Sequence, residues 1–416
     1  MSRPPAVAVS VAVAAVLLAA AAGPMHAAGG GGRSRPDPHA EAKVKVAESI
    51  NAFGLNLYGE VREKPGNFFL SPYSLASALA MTWAGARGET ADEMAETLVL
   101  PEAWRSEPER IHAAFGRLTD SLNAAKAPYE LSAANALWGQ KGFGFRGEFL
   151  GLVGDHYGAG LREVDFAGRT EAARHAINVW VEKETREKIK NLVPRGGLTP
   201  ETRLVLTNAI YFQGTWQFPF DKTDTKEEDF FAPSGPLKAP MMRETKHFRY
   251  ADAGGHHVLQ LSYKGRDLAM VLFVPKAKDG LPAVEASLSA QGLAERLRAM
   301  RARRVQLFLP RFKVTWKLEM SAVLARMGMP RAFHPDRADF SGMAPGLYIQ
   351  KVFHKAFVDV NEEGTEAAAA TAVVVGLTAM PAEPIVVRAD RPFLYLIRDT
   401  RSGAILFLGR LVNPKA

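Results

Sequence analysis

From Glu41 to Ala416 the sequence contains no Pro-, Gly- or Ser-rich stretch long enough to separate independent domains, and no internal repeat. A run of that length without a break points to one oversized globular unit with a large buried core. Helical periodicity marks Lys43 to Leu57, with Val46, Ile50, Phe53 and Leu57 on one face. Ser71-Pro72 opens a helix to about Trp83, with serine as cap and proline in the first turn. Thr90 followed by Glu93 reads as a capping box at the start of a helix to Leu98. Ile111 to Leu122 and Ala173 to Leu192 read as further amphipathic helices. Strand-like runs fall at Leu131 to Trp138, Leu204 to Phe212, Leu268 to Val274, Val305 to Leu309 and Val352 to Val360. Helices dominate the first half and strands crowd the last third. The expected class is α+β, without the regular alternation of a doubly wound sheet.

The residues before this unit read as an address. Arg3 precedes the apolar run Ala6 to Ala22, and small residues and glycines follow. That order describes a secretory signal peptide over residues 1–28, with a flexible linker over 29–40 and the single domain over 41–416. Export to the periplasm or the medium, without a stable membrane anchor, is the expected localisation. The chain has no cysteine. Disulfide frameworks, cysteine zinc sites and thiol nucleophiles are therefore excluded.

Catalytic signatures are missing: no Gly-x-Ser-x-Gly elbow, no His-Glu-x-x-His and no phosphate-binding loop. Gly142-Phe143-Gly144-Phe145-Arg146-Gly147 fits a dinucleotide fingerprint, and Asp165 stands near the distance of a ribose ligand. Phenylalanines occupy positions where a pyrophosphate must approach the backbone, so a glycine-rich turn is the preferred reading. His256-His257 lacks a third ligand at helical spacing and reads as exposed loop. Arg296, Arg298, Arg301, Arg303 and Arg304 form the densest positive patch, read as a solvated helix end for want of interleaved aromatics. No metal, cofactor or nucleic acid is expected.

The informative segment runs from Glu362 to Val375. With period two, one face carries Thr365, Ala367, Ala369, Thr371, Val373 and Val375, all small or β-branched and none charged. By residues alone this is a buried strand or an alanine-rich helix. It ends in Gly376-Leu377-Thr378-Ala379-Met380-Pro381, which reads as exposed loop.

Five motifs taken together resemble the serpin family over roughly residue 43 to Pro414. These are Asn67-Phe-Phe-Leu-Ser71-Pro72-Tyr-Ser74, Thr207-Asn208 through Gly214-Thr215-Trp216, Phe353-His354-Lys355-Ala356, Glu362 to Ala370, and Asp390-Arg391-Pro392-Phe393-Leu394 with Phe407 to Pro414. The resemblance implies three β-sheets, about nine helices and an exposed reactive-centre loop over about residues 364–388. It also implies suicide inhibition of a serine protease rather than catalysis. Counting seventeen residues from Glu362 places the attacked bond at Thr378–Ala379, with Leu377 or Met380 as alternatives. Elastase-, chymotrypsin- or subtilisin-like enzymes are the implied targets, in a covalent 1:1 complex with a monomeric inhibitor.

The family pattern further assigns a hinge to Glu362, Gly364, Thr365, Ala367, Ala369 and Thr371. It assigns a polar cluster beneath the opening sheet, the shutter, to Ser71, Ser74, Asn208 and His354. Trp216 and Arg311 mark the breach where insertion starts, with Arg311 as the partner of Glu362. The helix from Ile111 to Leu122 corresponds to a polyanion-binding helix of some relatives, but Arg110 and Arg117 alone do not support that use here. The alternatives are a non-inhibitory binding or chaperone-like serpin and an inhibitor of a cysteine protease.

Overall fold

The structure is a computed structural model that describes residues 39–124, 127–158, 160–365 and 383–416. Among these residues the helices are α1 (Ala40–Val61), α2 (Pro72–Trp83), α3 (Gly88–Thr97), α4 (Pro108–Leu122), α5 (Gly147–Tyr157), α6 (Phe166–Glu184), α7 (Leu281–Ala286), α8 (Ala290–Ala299) and α9 (Ser321–Arg326). The first seven strands are β1 (Phe68–Leu70), β2 (Tyr129–Gln140), β3 (Arg162–Val164), β4 (Leu204–Thr215), β5 (Lys226–Ala232), β6 (Gly235–Asp252) and β7 (His256–Ser262). The rest are β8 (Leu268–Pro275), β9 (Arg301–Pro310), β10 (Phe312–Glu319), β11 (Lys351–Val360), β12 (Gly364–Thr365), β13 (Ile385–Arg388), β14 (Phe393–Asp399) and β15 (Ile405–Leu411).

A six-stranded sheet has the order β10-β11-β12-β4-β2-β3. A nine-stranded network runs β1-β15-β14-β8-β7-β6-β9-β13, with β5 attached to β6. Two of the three expected sheets are joined here through β6. Of its 18 residues, Gly235 to Met241 pair with β5, Met241 to Tyr250 with β9, and Arg249 to Asp252 with β7.

The main core includes one face of β2 and β4 (Leu131, Leu137, Leu206, Ile210, Phe212) and the stacked rings of Phe69, Tyr395 and Phe407. The alternate residues Ala134, Ala136, Trp138, Val205 and Ala209 point the other way and pack with Phe166, Ile177 and Val181 of α6. The strand β4 is thus covered on both faces, and every residue from Leu204 to Phe212 is buried. Every residue of α2 is buried too. Its start is fixed as the sequence predicts: the Ser71 side chain accepts a hydrogen bond from the Ser74 amide, and Pro72 fills the first turn.

Some local readings are corrected. The helix α3 starts at Gly88, and the Thr90 and Glu93 side chains do not cap it. They accept from the Asp339 and Arg331 amides instead, fastening a distant loop. The helix α6 runs from Phe166 to Glu184 rather than from Ala173 to Leu192. It ends where Thr185 Oγ1 bonds the Val181 carbonyl and the Ile189 amide, while Asn178 holds both polar groups of Val193. Side chains that offer the backbone such alternatives end helices. His256 lies buried on β7, not in a loop. Gly142 and Gly144 do form a turn, with φ of 74° and 81°, and Asp165 caps α6 through the Gly168 amide.

Candidate functional site

The strands β11 and β4 are parallel neighbours, paired from Lys351↔Val205 to Phe357↔Tyr211. Beyond that register they diverge and admit β12. Thr365 lies opposite Val360 of β11 and Gly214 of β4, and Gly364 lies opposite Thr215. Among the described residues, Gly364 and Thr365 part the sheet at one end, and the direct β11–β4 pairing runs up to Phe357↔Tyr211.

The wedge is held by the turn that feeds it. The Asn361 side-chain carbonyl accepts from the amides of Glu363 (3.0 Å) and Gly364 (3.3 Å). Trp216 clasps the turn twice: its amide donates to the Glu363 carbonyl and its indole N–H to the Asn361 carbonyl, both at 2.9 Å. Glu362 is only 2% exposed. Its carboxylate accepts from Arg311 Nε at 2.6 and 2.7 Å and from Thr225 Oγ1 at 2.5 Å. Burial pulls the Glu362 pKa up, but the bonds from Arg311 and Thr225 outweigh it and hold the group below the usual carboxylate range. Glu363 pairs with Lys222.

Thr365 is fully buried, and its hydroxyl meets the Tyr263 hydroxyl at 2.7 Å. Tyr263 stacks on Trp216 with ring centroids 4.6 Å apart. Burial pushes the Tyr263 pKa up, so it remains a neutral phenol. Gly364 has a different reason to be glycine. A Cβ at this position would stand 2.0 Å from the Gly214 carbonyl oxygen, and only a residue without a side chain permits that approach.

Farther down the same seam lies a buried polar network. Asn208 of β4 and His354 of β11 are register partners, as are Asn208 and Asn135 of β2. Asn208 Nδ2 donates to Ser74 Oγ (2.6 Å) and Asn135 Oδ1 (2.7 Å), and Ser74 Oγ donates to Asn135 Oδ1 (2.6 Å). His354 Nδ1 bonds Asn208 Oδ1, and its Nε2 accepts from the Ser71 amide at 3.3 Å. Ser71 Oγ donates to the Leu406 carbonyl at 2.6 Å. Burial lowers the His354 pKa to about 3 against a modest opposing contribution from Asn208. The ring is therefore neutral, with its proton on Nδ1, as the two partners require.

Glu362, Gly364, Thr365, Trp216 and Arg311 thus converge at the parted end of the seam, and Ser71, Ser74, Asn208 and His354 converge farther down it. Ala367, Ala369, Thr371, Leu377, Thr378, Ala379 and Met380 lie outside the described residues. Sequence reasoning missed Asn135, Tyr263, Thr225, Lys222 and Asn361. Asn135 carried a signal: it is the lone amide of the apolar run Leu131 to Trp138, on the face of Leu131 and Leu137. Tyr263 and Thr225 carried none, because only the tertiary fold brings them to the hinge.

The sequence profile described as Serpin (serine protease inhibitor) matches residues 48–414. This chain belongs to the serpin family. Human Serpin B3 is 40% identical over 389 residues, covering 89% of this chain and 99% of the relative. The leukocyte elastase inhibitor of Equus caballus is 39% identical over 376 residues, covering 87% and 97%. Among solved structures, human thyroxine-binding globulin complexed with thyroxine matches with TM-score 0.81 at 32% identity, covering 90% of this chain and 99% of that one. Uncleaved ovalbumin matches with TM-score 0.79 at 26% identity, covering 89% and 100%.

Proposed function

We propose that this protein is an exported inhibitor of serine endopeptidases that acts as a suicide substrate and not as a catalyst. The protease serine Oγ attacks the carbonyl carbon of Thr378. An ester to the enzyme forms, the Thr378–Ala379 peptide bond breaks, and the nitrogen of Ala379 leaves with a proton. The freed loop then enters the seam between β11 and β4 and carries the acylated protease with it before water can hydrolyse the ester. Leu377 and Met380 are alternative positions for the acylated residue. A β-branched threonine suits an elastase-like pocket.

One observation carries this reading: Thr365 already occupies the seam, with its side chain toward Tyr263. Because strands alternate with period two, that contact sets which residues face inward on further insertion. They are Ala367, Ala369, Thr371, Val373 and Val375, which carry no charge. Burying an unpaired ion there would cost several kcal/mol and slow the step that must outrun deacylation. Glu366 falls on the opposite face. The uninserted sheet leaves strand pairings unmade, so the active fold is a kinetic trap that cleavage releases.

The test is to mix the mature chain with pancreatic elastase, chymotrypsin and subtilisin and run denaturing gels. An SDS-resistant 1:1 complex is expected, with a released C-terminal peptide starting at Ala379. Loop cleavage without any complex would leave a non-inhibitory serpin.

A further inference from the structure

The end of β5, the loop that joins β8 to α7, and Pro392 just before β14 enclose a cavity of about 410 Å³. Its walls are apolar: Phe231, Ala232, Leu281, and the prolines Pro233, Pro282 and Pro392. Proline fixes its own φ and has no N–H, so much of this wall is stiff and cannot donate a hydrogen bond. Hydrogen bonds to two backbone carbonyls tie the sides together. The Phe231 amide donates to the Asp390 carbonyl at 2.7 Å, and Arg391 Nη1 donates to the Lys276 carbonyl. A cavity of this size lies in the range that small-molecule sites occupy. Because its walls are already held in place, a ligand need not order them on binding. None of its residues belongs to the hinge, the breach or the shutter.

Two charged side chains border the cavity, Lys278 and Asp279, and both are exposed. Lys278 Nζ stands 3.2 Å from the centre of the Phe231 ring. An ammonium in that position is held by the negative face of the aromatic ring. Asp279 has no such partner. Among the described residues its carboxylate makes no hydrogen bond and has no cation within 4.0 Å. The neighbouring cations are engaged elsewhere: Lys276 bonds both carboxylate oxygens of Asp252 at 2.8 Å, and Arg391 pairs with Asp390.

The charge left unanswered at the mouth is therefore negative. The Phe231 ring beside it also attracts cations, and the proline walls offer no N–H to an anion. We propose that this cavity is a binding site for a small organic cation with an apolar body. The body packs against Phe231, Leu281 and the prolines, and the ammonium meets Asp279. There it competes with Lys278 for the face of the Phe231 ring. The site stands independently of the inhibitor reading, since it shares no residue with the seam that receives the loop.

The experiment titrates the full chain by calorimetry with three probes that share a phenyl ring: 2-phenylethylammonium, 2-phenylethanol and 3-phenylpropionate. The ammonium should bind, and added salt should weaken it. The alcohol should bind about tenfold more weakly, because it loses both the carboxylate and the cation–π attraction. The carboxylate probe should not bind. Asp279→Asn should weaken the ammonium about fivefold, the worth of one exposed ion pair. Lys278→Ala should tighten it by removing the competing cation. Both substitutions are at exposed positions, so an unchanged urea midpoint is expected and shows that each variant is folded. Equal affinities for the ammonium and the alcohol would overturn the proposal, as would an Asp279→Asn variant that binds like the wild type. Failure of the ammonium to bind at millimolar concentration would overturn it as well. Binding of 3-phenylpropionate that is lost in Lys278→Ala would assign the cavity to an amphipathic anion instead.

Discussion

His354 and Asn208 face each other across the parallel seam between β11 and β4, and a hydrogen bond from imidazole to amide joins them. The same Asn208 side chain also reaches Ser74 beneath the sheet and Asn135 on the next strand. The pair therefore links the boundary between β11 and β4 to the buried helix α2. Parting β11 from β4 must break the bond between them, and the remaining partners are fixed in place to receive it again.

Replacing Asn208 with alanine should loosen this boundary. The Nδ1 proton of His354 and the polar groups of Ser74 and Asn135 would lose a buried partner, a loss of about 2 to 4 kcal/mol for the network. A lower urea midpoint is expected, together with heat-induced polymers on native gels at temperatures where the wild type stays monomeric. An unchanged midpoint would show that the network contributes little.

Gly364→Ala should disturb the wedge without touching the protease-binding residues. The new methyl group would collide with the Gly214 carbonyl, 2.0 Å from the ideal Cβ. Overpacking of this kind typically costs about 1–3 kcal/mol. The expected readouts are a lower urea midpoint and more moles of inhibitor consumed per mole of protease inactivated.

Thr365→Arg tests insertion directly. The side chain would have to bury a guanidinium where the threonine hydroxyl now meets Tyr263. The variant should become a substrate: the cleaved band appears and the SDS-resistant complex disappears. Retained complex formation would contradict insertion along this seam. Tyr263→Phe, which removes only the hydroxyl, should leave complex formation largely intact.

Acid should weaken the native fold before ordinary carboxylates titrate. Burial lowers the pKa of His354 to about 3, and burial with the neighbouring His156 lowers that of His112 to about 3. Both folded values lie below the unfolded value of about 6.5, so the unfolded chain binds more protons as pH falls. Their stabilisation is complete above that value and is lost as pH drops, at about 1.4 kcal/mol per unit for each ring. Urea midpoints should decline between pH 6.5 and 5, and His112→Phe should make the decline shallower. Identical slopes for both proteins would rule His112 out as a contributor.

Much of the architecture was legible because it depends on local patterns. Ser71-Pro72 announces α2, and apolar strand-like runs announce β4 and β11. The Glu362–Arg311 pair was legible only through family resemblance, since nothing in the spacing of residues 51 apart reveals contact. What stayed hidden depends on side chains that serve distant partners. Thr90 and Glu93 have the spacing of a capping box, yet each is taken up by a loop more than 230 residues away. Thr185 ends α6 early by bonding the Val181 carbonyl, and Asn178 holds the chain beyond at Val193, an outcome that helical periodicity does not register.

The pairing of Gly364 and Thr365 with β4 also acts as a ruler. Gly364 stands opposite Thr215 and Thr365 opposite Gly214. If that antiparallel register continues to Leu204, where β4 begins, the residue arriving there is Val375. The travel from Gly214 to Leu204 is ten residue steps, about 33 Å of strand. Gly376 and Leu377 are then left as a short tether to Thr378. Length and lure become separate variables. Under the proposed mechanism, substitutions from Gly376 to Met380 should redirect the chain to another protease, while the stretch from Gly364 to Val375 should still set where the captured enzyme comes to rest.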